Sequence, residues 1–88
     1  MNTFLLNISS PDGKVFSGEA VMLVVRGVAG DLAVMAGHVP FITNVKPDTR
    51  CAIHLADGTE KEGTTGGGLL TVAKEEVTFL TAGVAWNE

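Results

Sequence analysis

Several kinds of residue are scarce in this 88-residue chain, and each scarcity argues against a class of protein. Cys51 is the single cysteine, so the chain can build neither a disulfide framework nor a thiolate metal cluster, and a reducing compartment fits best. Only 18% of the residues are charged, where about 25% is usual. The six lysines and arginines are scattered and the net charge is -4, which argues against binding to nucleic acid or to an anionic membrane surface.

The sequence also lacks a long apolar run and a catalytic constellation. Its first apolar segment, Phe4 to Ile8, is far too short to span a bilayer, so direct membrane insertion is not expected. The two histidines, His38 and His54, lie in different contexts without a paired carboxylate or cysteine at the spacing of a metal site or an activated nucleophile. We therefore expect a noncatalytic protein with no cofactor and no metal.

Glycine and proline recur at short intervals along the chain. The segment from Gly27 to Pro47 is rich in apolar residues, yet both residue types interrupt it repeatedly. Glycine permits sharp turns and proline removes a backbone donor, so this segment is predicted to form short strands joined by bends. Extended over the whole chain, the pattern predicts an all-β fold of about nine or ten strands. Two packed sheets in a small β-sandwich would bury both apolar faces.

Some strands carry more specific predictions. Residues 49–55 alternate and predict a half-buried antiparallel strand, and the Asp57-Gly58 pair that follows predicts a type I′ hairpin turn. The unbroken apolar run at residues 20–25 predicts a strand buried on both faces, or one that turns a face to a partner. Other strands are predicted at residues 4–8, from 15 onward, 32–35, 41–45, 60–65, 69–73 and 77–81.

Two motifs suggest a chemical role, and each has a structural alternative. Gly66-Gly67-Gly68 lacks the helix and lysine that follow a phosphate loop, because Leu69 begins a strand; close backbone approach or a β-bulge is favoured. Lys61 suggests the carrier lysine of a lipoyl or biotinyl domain, but Asp57-Gly58 occupies the hairpin tip. A charged, solvated strand is favoured there. A stand-alone binding sandwich is a further alternative.

Seven short motifs run through the chain between Phe4 and Ala85. They are Pro11-Asp12-Gly13, Val15-Phe16-Ser17-Gly18-Glu19, Gly30-Asp31-Leu32-Ala33-Val34, Gly37-His38-Val39-Pro40, Lys46-Pro47, Gly66-Gly67-Gly68-Leu69-Leu70-Thr71-Val72 and Val77-Thr78-Phe79-Leu80. In this order and at this spacing they resemble the N-terminal domain of the epsilon subunit of F-type ATP synthases. The resemblance covers essentially the whole chain.

The resemblance implies both a fold and a function. The fold is a flattened β-sandwich of about ten short, mainly antiparallel strands. The function is that of a noncatalytic central-stalk, or rotor, subunit that binds the gamma subunit and the loops of the c-ring. Such a subunit helps couple proton or sodium flow to ATP synthesis, and it is peripheral to the membrane on the cytoplasmic face of the plasma membrane.

The resemblance also implies particular contact residues. Asp31 and His38, in the bends between residues 27 and 39, are expected to contact the c-ring loops. The low charge and the apolar run predict that Val21, Leu23 and Val25 face gamma. The turn residues expected to set the shape are Gly13, Gly30, Gly37, Pro40 and Gly67, with Gly37 at positive φ.

Two positions and one end of the chain depart from the family pattern. Asp31 stands where glutamate is usual, and Ala33 where glycine is usual. Residues 1–85 are expected to form the sandwich, and residues 86–88 to begin the linker to a C-terminal helical domain that this chain does not contain. In the family those helices carry the inhibition of ATP hydrolysis, so that activity is not expected here. Whether the chain is naturally short stays open at this point.

Overall fold

A computed structural model describes residues 2–37 and 39–87, and within them it contains ten β-strands and no helix. In chain order the strands are β1 (Phe4–Ser10), β2 (Gly13–Ala20), β3 (Met22–Gly27), β4 (Gly30–Met35), β5 (Phe41–Val45), β6 (Thr49–His54), β7 (Glu60–Thr65), β8 (Gly68–Val72), β9 (Glu76–Thr81) and β10 (Val84–Trp86). The predicted all-β class is confirmed.

The strands form two layers that share one hydrogen-bonded path. The path runs β10-β7-β6-β3-β5-β8-β9-β1-β2, and β4 pairs with β3 outside it. β3 joins the layers, because it pairs along its whole length with β4 and over its first half with β6, and meets β5 at Gly27, opposite Val45. We call β10, β7, β6, β3 and β4 the first sheet, and β5, β8, β9, β1 and β2 the second sheet. Only β1 and β9 pair in parallel among the described strands, so the mainly antiparallel sandwich is confirmed.

Apolar side chains from both sheets meet in a single core. Its largest fully buried members are Phe79, Leu6, Ile8, Leu23, Ile53 and Leu70. Within each strand these residues mostly alternate with exposed or half-buried ones, because successive side chains of a strand point to opposite faces. Burying each such side chain contributes roughly 1.5–3 kcal/mol. The core therefore holds the sheets together, and the outer face of each sheet is left for other roles.

The apolar run at residues 20–25 does not form the single, doubly buried strand that was predicted. β2 ends at Ala20 and β3 begins at Met22, with a bend between them. Along β3 only alternate residues are buried, Leu23 and Val25 among them. The doubly buried interpretation was wrong, because an apolar run shows neither where the chain bends nor which of its two faces the second sheet covers. The half-buried Met22 and Val24 leave open the alternative, in which this strand turns one face outward.

The turn between β6 and β7 is also of a different type from the one predicted. The N–H of Gly58 donates to the Leu55 carbonyl (3.1 Å), and the N–H of Leu55 donates to the Thr59 carbonyl (2.9 Å). Gly58 has a φ of 90°, but Asp57 is not among the described residues with positive φ, and a type I′ turn requires positive φ at both central positions. The geometry is that of a type I turn followed by a left-handed glycine, as in three-residue hairpin loops.

Strand ends agree with the predictions in some places and differ in others. β5 and β7 have the predicted bounds. β2 is longer than expected, because its whole length Gly13–Ala20 pairs with β1. β10 runs to Trp86, so the sheet extends one residue past the domain boundary predicted at residue 85.

A buried polar joint ties β7, β8 and β9 together. The hydroxyls of Thr65 and Thr81 are 2.8 Å apart; Thr65 accepts from the N–H of Gly67 (3.1 Å), and Thr81 donates to the Gly67 carbonyl (2.8 Å). Thr81 also accepts from the N–H of Gly83 (3.1 Å). A Cβ at Gly67 would lie 2.8 Å from the Val45 carbonyl oxygen. The glycine triplet thus serves close backbone approach and not a phosphate cradle.

Candidate docking surfaces

The outer side of the second sheet exposes four large apolar side chains, of which Leu5 lies on β1 and the other three lie on β5, β8 and β9. Ile42 on β5, Leu69 on β8 and Leu80 on β9 are 66%, 40% and 54% exposed. Leu69 lies directly opposite Leu80 on β9 and directly opposite Asn44 on β5, which places Ile42 on the diagonal. Such neighbours have Cβ atoms roughly 4.5–5.5 Å apart when opposite and about 7–8 Å apart on the diagonal. The three side chains therefore form one patch, which we call the apolar face.

Polar groups, most of them uncharged, border the apolar face on two sides. Thr71 and Thr78 are paired across β8 and β9 in the next row and are half-buried. On β1, Asn7 accepts a hydrogen bond from Ser17 (2.9 Å) and donates to Glu76 (2.6 Å), which holds this carboxylate at the margin. An apolar centre with a polar rim is the usual anatomy of a surface that another protein covers.

The outer side of the first sheet carries most of its charged pairs at one part of the face, beside an apolar pair formed by half-buried Met22 and Met35, which is 53% exposed. Arg26 on β3 pairs with Asp31 on β4, and Arg50 on β6 pairs with Glu62 and, at 3.2 Å, with Glu60 on β7. His54 Nε2 lies 3.3 Å from the same Glu60 oxygen. We call Arg26, Asp31, Arg50, His54, Glu60 and Glu62 the charged face. Its side chains are all partly solvent-exposed, so these pairs contribute little to stability.

The carboxylates of the charged face raise the pKa values of its two arginines. The hydrogen bond and charge of Asp31 raise the pKa of Arg26, and the hydrogen bond from Arg50 to Glu62 raises the pKa of Arg50. Both guanidinium groups stay protonated at any physiological pH. Each therefore carries a permanent positive charge with a carboxylate already beside it.

Asp31 lies beside the tip of the β3–β4 hairpin. Its side chain is 70% exposed, and its carboxylate accepts two hydrogen bonds from Arg26, from Nε at 2.8 Å and from Nη2 at 3.3 Å. The partner of this carboxylate is thus in the same hairpin. His38, the other predicted c-ring contact, lies outside the described residues.

The predicted gamma-facing residues are placed mostly in the interior. Leu23 and Val25 are 0% and 1% exposed, so their side chains pack in the core and cannot reach a partner, and Val21 is half-buried in the bend before β3. Strict alternation along β3 would have indicated this, because Leu23 and Val25 share one face. Sequence reasoning instead missed Ile42, Leu69 and Leu80, which lie in correctly predicted strands whose outward face was not assigned.

The predicted turn residues occupy bends or close approaches. Gly13, Gly30, Gly37 and Gly67 have φ values of 126°, 130°, 82° and 87°, a region that residues with a Cβ rarely adopt. Gly37 has open space where a Cβ would lie, so only its backbone conformation restricts substitution there. Pro40 directly precedes β5.

The carrier-lysine alternative finds no support in the geometry. Lys61 lies within β7, away from the turn, with its ammonium 5.2 Å from the centroid of the Trp86 ring. A cation over an indole face is attracted by the ring. The contact helps hold β10 on the edge of the first sheet, where the N–H of Asn87 also donates to the Glu62 carbonyl (2.7 Å).

Among the described residues we find no cluster suited to a metal ion and no activated cysteine nucleophile. None of their histidine, cysteine, aspartate and glutamate side chains form a group of three that could hold a metal ion. Burial raises the pKa of the Cys51 thiol to about 11, so the thiolate that would react is scarce at neutral pH. In the part of the chain that is described, no helix has the length and apolar character to cross a membrane.

Comparison with known families gives one match over nearly the whole chain. The family model described as ATP synthase, Delta/Epsilon chain, beta-sandwich domain matches residues 3–87. The chain is 40% identical over 86 residues to the ATP synthase epsilon chain, sodium ion specific, of Acetobacterium woodii, covering 98% of this chain and 64% of the relative. It is 37% identical over 81 residues to the ATP synthase epsilon chain of Alkalihalophilus pseudofirmus, covering 91% and 59%. The chain thus spans about 60% of the length of these relatives.

Solved structures share the fold at lower identity. A chain in the cryo-EM structure of the Euglena gracilis mitochondrial ATP synthase superposes with a TM-score of 0.88 at 17% identity, over 96% of this chain and 53% of that one. A chain in the central stalk and c-ring structure of the Tetrahymena thermophila mitochondrial enzyme gives 0.77 at 8% identity, over 96% and 66%. At these identities the likeness establishes the sandwich fold alone.

Proposed function

Because the chain belongs to the family of ATP synthase delta/epsilon β-sandwich domains, we propose that it is a noncatalytic central-stalk subunit of an F-type ATP synthase. In this role it docks onto the gamma subunit and the loops of the c-ring, and it helps couple the translocation of protons or sodium ions to ATP synthesis. It acts as a peripheral subunit at the cytoplasmic face of the plasma membrane. Relatives named as ATP synthase epsilon chains support this assignment.

The observation that carries the docking proposal is the apolar face. Ile42, Leu69 and Leu80 are exposed together on one sheet, while the outer surface of the other sheet carries the charged pairs beside a single exposed methionine, Met35. Covering apolar surface is the main favourable contribution to protein association. A subunit that stays attached during rotation needs such a surface, and we assign the apolar face to gamma.

The β3–β4 hairpin is the surface we assign to the c-ring. Its tip carries Val28, which is 59% exposed, and Asp31 lies immediately behind the tip. Polar groups held on a rigid hairpin can hydrogen-bond a polar loop while a neighbouring apolar side chain packs against it. In this proposal, the hairpin contacts the membrane sector, and the end of the sandwich that bears the hairpin therefore faces the membrane.

The test is whether the chain forms a stoichiometric complex with purified gamma. We expect size-exclusion chromatography with light scattering to show a 1:1 complex, because the apolar face lies entirely within these residues. Two separate peaks would contradict docking by the sandwich alone.

A second measurement addresses coupling. Inverted membrane vesicles stripped of this subunit should regain ATP-driven ion pumping when the chain is added back, and the ion, proton or sodium, is identified by the pH or sodium response. Restored binding to gamma without restored pumping would limit the role to docking.

A further inference from the structure

We propose that the surface that docks onto gamma extends from the apolar face to Leu5, where the carboxylates of Glu19 and Glu76 receive a basic side chain of gamma. We call these three residues the acidic corner. The inference rests on the proposed docking of the apolar face to gamma. It deepens that assignment, because it names further contact residues of this chain and the chemistry of the group that they bind.

The strand register places the acidic corner in one row of the second sheet. Leu5 on β1 lies opposite Glu19 on β2 and opposite Glu76 on β9. Residues in register point to the same face of a sheet, and neighbouring strands lie about 4.8 Å apart. Both glutamates are exposed and Leu5 is 42% exposed. The two carboxylates therefore emerge on either side of an exposed apolar side chain.

Uncharged groups hold both carboxylates in place. The Thr3 hydroxyl donates to Glu19 Oε1 at 2.8 Å, and the Asn7 amide donates to Glu76 Oε2 at 2.6 Å. Asn7 in turn accepts a hydrogen bond from Ser17 at 2.9 Å. A neutral donor orients a carboxylate without cancelling its charge, and each carboxylate keeps lone pairs for another donor.

The acidic corner differs from the charged face in its charge balance. Asp31, Glu60 and Glu62 on the charged face each lie within ion-pair distance of an arginine. In the part of the chain that the structure describes, neither Glu19 nor Glu76 forms an ion pair. The negative charges of the acidic corner are therefore available to a partner, whereas those of the charged face are already compensated.

The acidic corner is continuous with the apolar face. Along β9, Glu76 and Leu80 lie on the same side of the sheet, and the half-buried Thr78 lies between them. Four residues of a strand span about 13 Å, so one protein surface can cover both ends. A standard interface buries roughly 800 Å² on each partner, which is large enough for this span.

A basic side chain fits the acidic corner better than an apolar or acidic one. Lysine and arginine have an apolar stem that can pack on Leu5 and a charged head that can reach a carboxylate. The resulting hydrogen bond would be charge-assisted. An apolar group placed there would desolvate two carboxylates without a counter-charge, which is costly. Charge complementarity at this position also selects against wrong partners.

The experiment measures the affinity of the chain for purified gamma by titration calorimetry at several salt concentrations. Glu19→Gln and Glu76→Gln keep acceptors for Thr3 and Asn7 but remove the charge. We expect each to weaken binding about three- to tenfold at low salt and to make the affinity less dependent on salt. Asp48→Asn removes the same charge elsewhere and should bind like the unsubstituted chain, because asparagine tolerates the positive φ of 57° at this turn.

Two further variants separate the charged head from the apolar stem. Glu19→Lys should weaken binding more than Glu19→Gln at low salt, and the difference should vanish at about 1 M salt, where the added repulsion is screened. Leu5→Ala should weaken binding at every salt concentration, because the stem loses its apolar contact. An unchanged melting temperature in each variant shows that the effect is on docking and not on folding.

The failure of this inference can be told apart from failure of the proposed function. If the unsubstituted chain does not bind gamma, the proposed function fails. If it binds and Leu80→Asp weakens binding, but Glu19→Gln and Glu76→Gln leave affinity and salt dependence unchanged, only the acidic corner is overturned. Tighter binding by either glutamine variant would also overturn it, because the partner group would then be apolar or acidic.

Discussion

The two outer sides of this sandwich share one core but differ in surface chemistry. On the charged face, arginines and carboxylates neutralise one another within the chain. On the apolar face, Ile42, Leu69 and Leu80 remain 66%, 40% and 54% exposed. The charged face is complete by itself, whereas the apolar face gains free energy only when another protein covers it.

The difference shows how folding and docking can depend on different side chains of one fold. Both faces share the same core, so changes on either outer surface need not disturb the packing between the sheets. A side chain's importance for folding and its importance for docking are therefore separable here. Each prediction below alters one face, or the interior that joins the faces, and measures whether the other property stays constant.

The largest effect is expected from a charge placed on the apolar face. Leu80→Asp should weaken gamma binding by about 2–4 kcal/mol, roughly 30- to 800-fold in Kd, because a carboxylate would be desolvated at the centre of the interface. Thr64→Asp places the same charge on β7 of the first sheet and is the control. Titration calorimetry gives both values, and equal affinities for the two variants would remove the apolar face as the gamma site.

The polar joint tests the interior between the faces. Thr81→Val removes the hydroxyl that donates to Gly67 and accepts from Gly83, and should lower the free energy of unfolding by about 1–3 kcal/mol, because buried backbone groups lose their partners. Thr78→Val, on the outer side of the same strand, should change it by no more than about 0.5 kcal/mol. Urea unfolding measures both. Similar losses would mean that the joint is no more critical than the surface.

A smaller effect is expected when the charged face is altered away from the hairpin. Arg50→Ala removes the partner of Glu60 and Glu62, and should lower the melting temperature slightly while leaving gamma binding unchanged. The difference in melting temperature should vanish at about 1 M salt, where exposed charges are screened. A large loss of gamma binding would show that the charged face also takes part in that contact.

The smallest effect concerns the turn at the edge of the charged face. Hydrogen bonds from the hydroxyl and N–H of Thr59 lower the pKa of Asp57 in the folded chain. A lowered pKa stabilises the fold above the unfolded-state pKa near 4, and this contribution is lost as the pH falls through the folded value. Asp57→Asn should therefore show a shallower fall of melting temperature below about pH 4 than the unsubstituted chain. Parallel curves would contradict the assigned shift.

Local chemistry made much of the fold predictable. Glycine and proline mark the bends, so β5 and β7 have the bounds that the sequence indicates. The bend between β2 and β3 was missed because Val21 is apolar like its neighbours and no glycine or proline marks it. The Asp57-Gly58 turn was assigned the wrong type because the dipeptide fits more than one hairpin geometry.

The candidate sites were less predictable, because they depend on contacts between distant strands. The exposure of Leu69 opposite Leu80 follows from the β8–β9 register, and an apolar residue carries no local signal of which face is covered. The partner of Asp31 is Arg26, and that pairing depends on how the hairpin closes. Thr65 and Thr81 meet across sixteen residues of sequence. The sequence shows each of these residues, but only the pairing register of the strands shows which residues it contacts.

The most direct test of the central claim is the accessibility of each outer face in the complex with gamma. Leu80→Cys and Thr64→Cys would be labelled with a maleimide with and without gamma, since the buried thiol of Cys51, with its raised pKa, stays unreactive in the folded chain. We predict that gamma strongly slows labelling at position 80 and leaves labelling at position 64 unchanged. Equal labelling at position 80 with and without bound gamma would contradict the account.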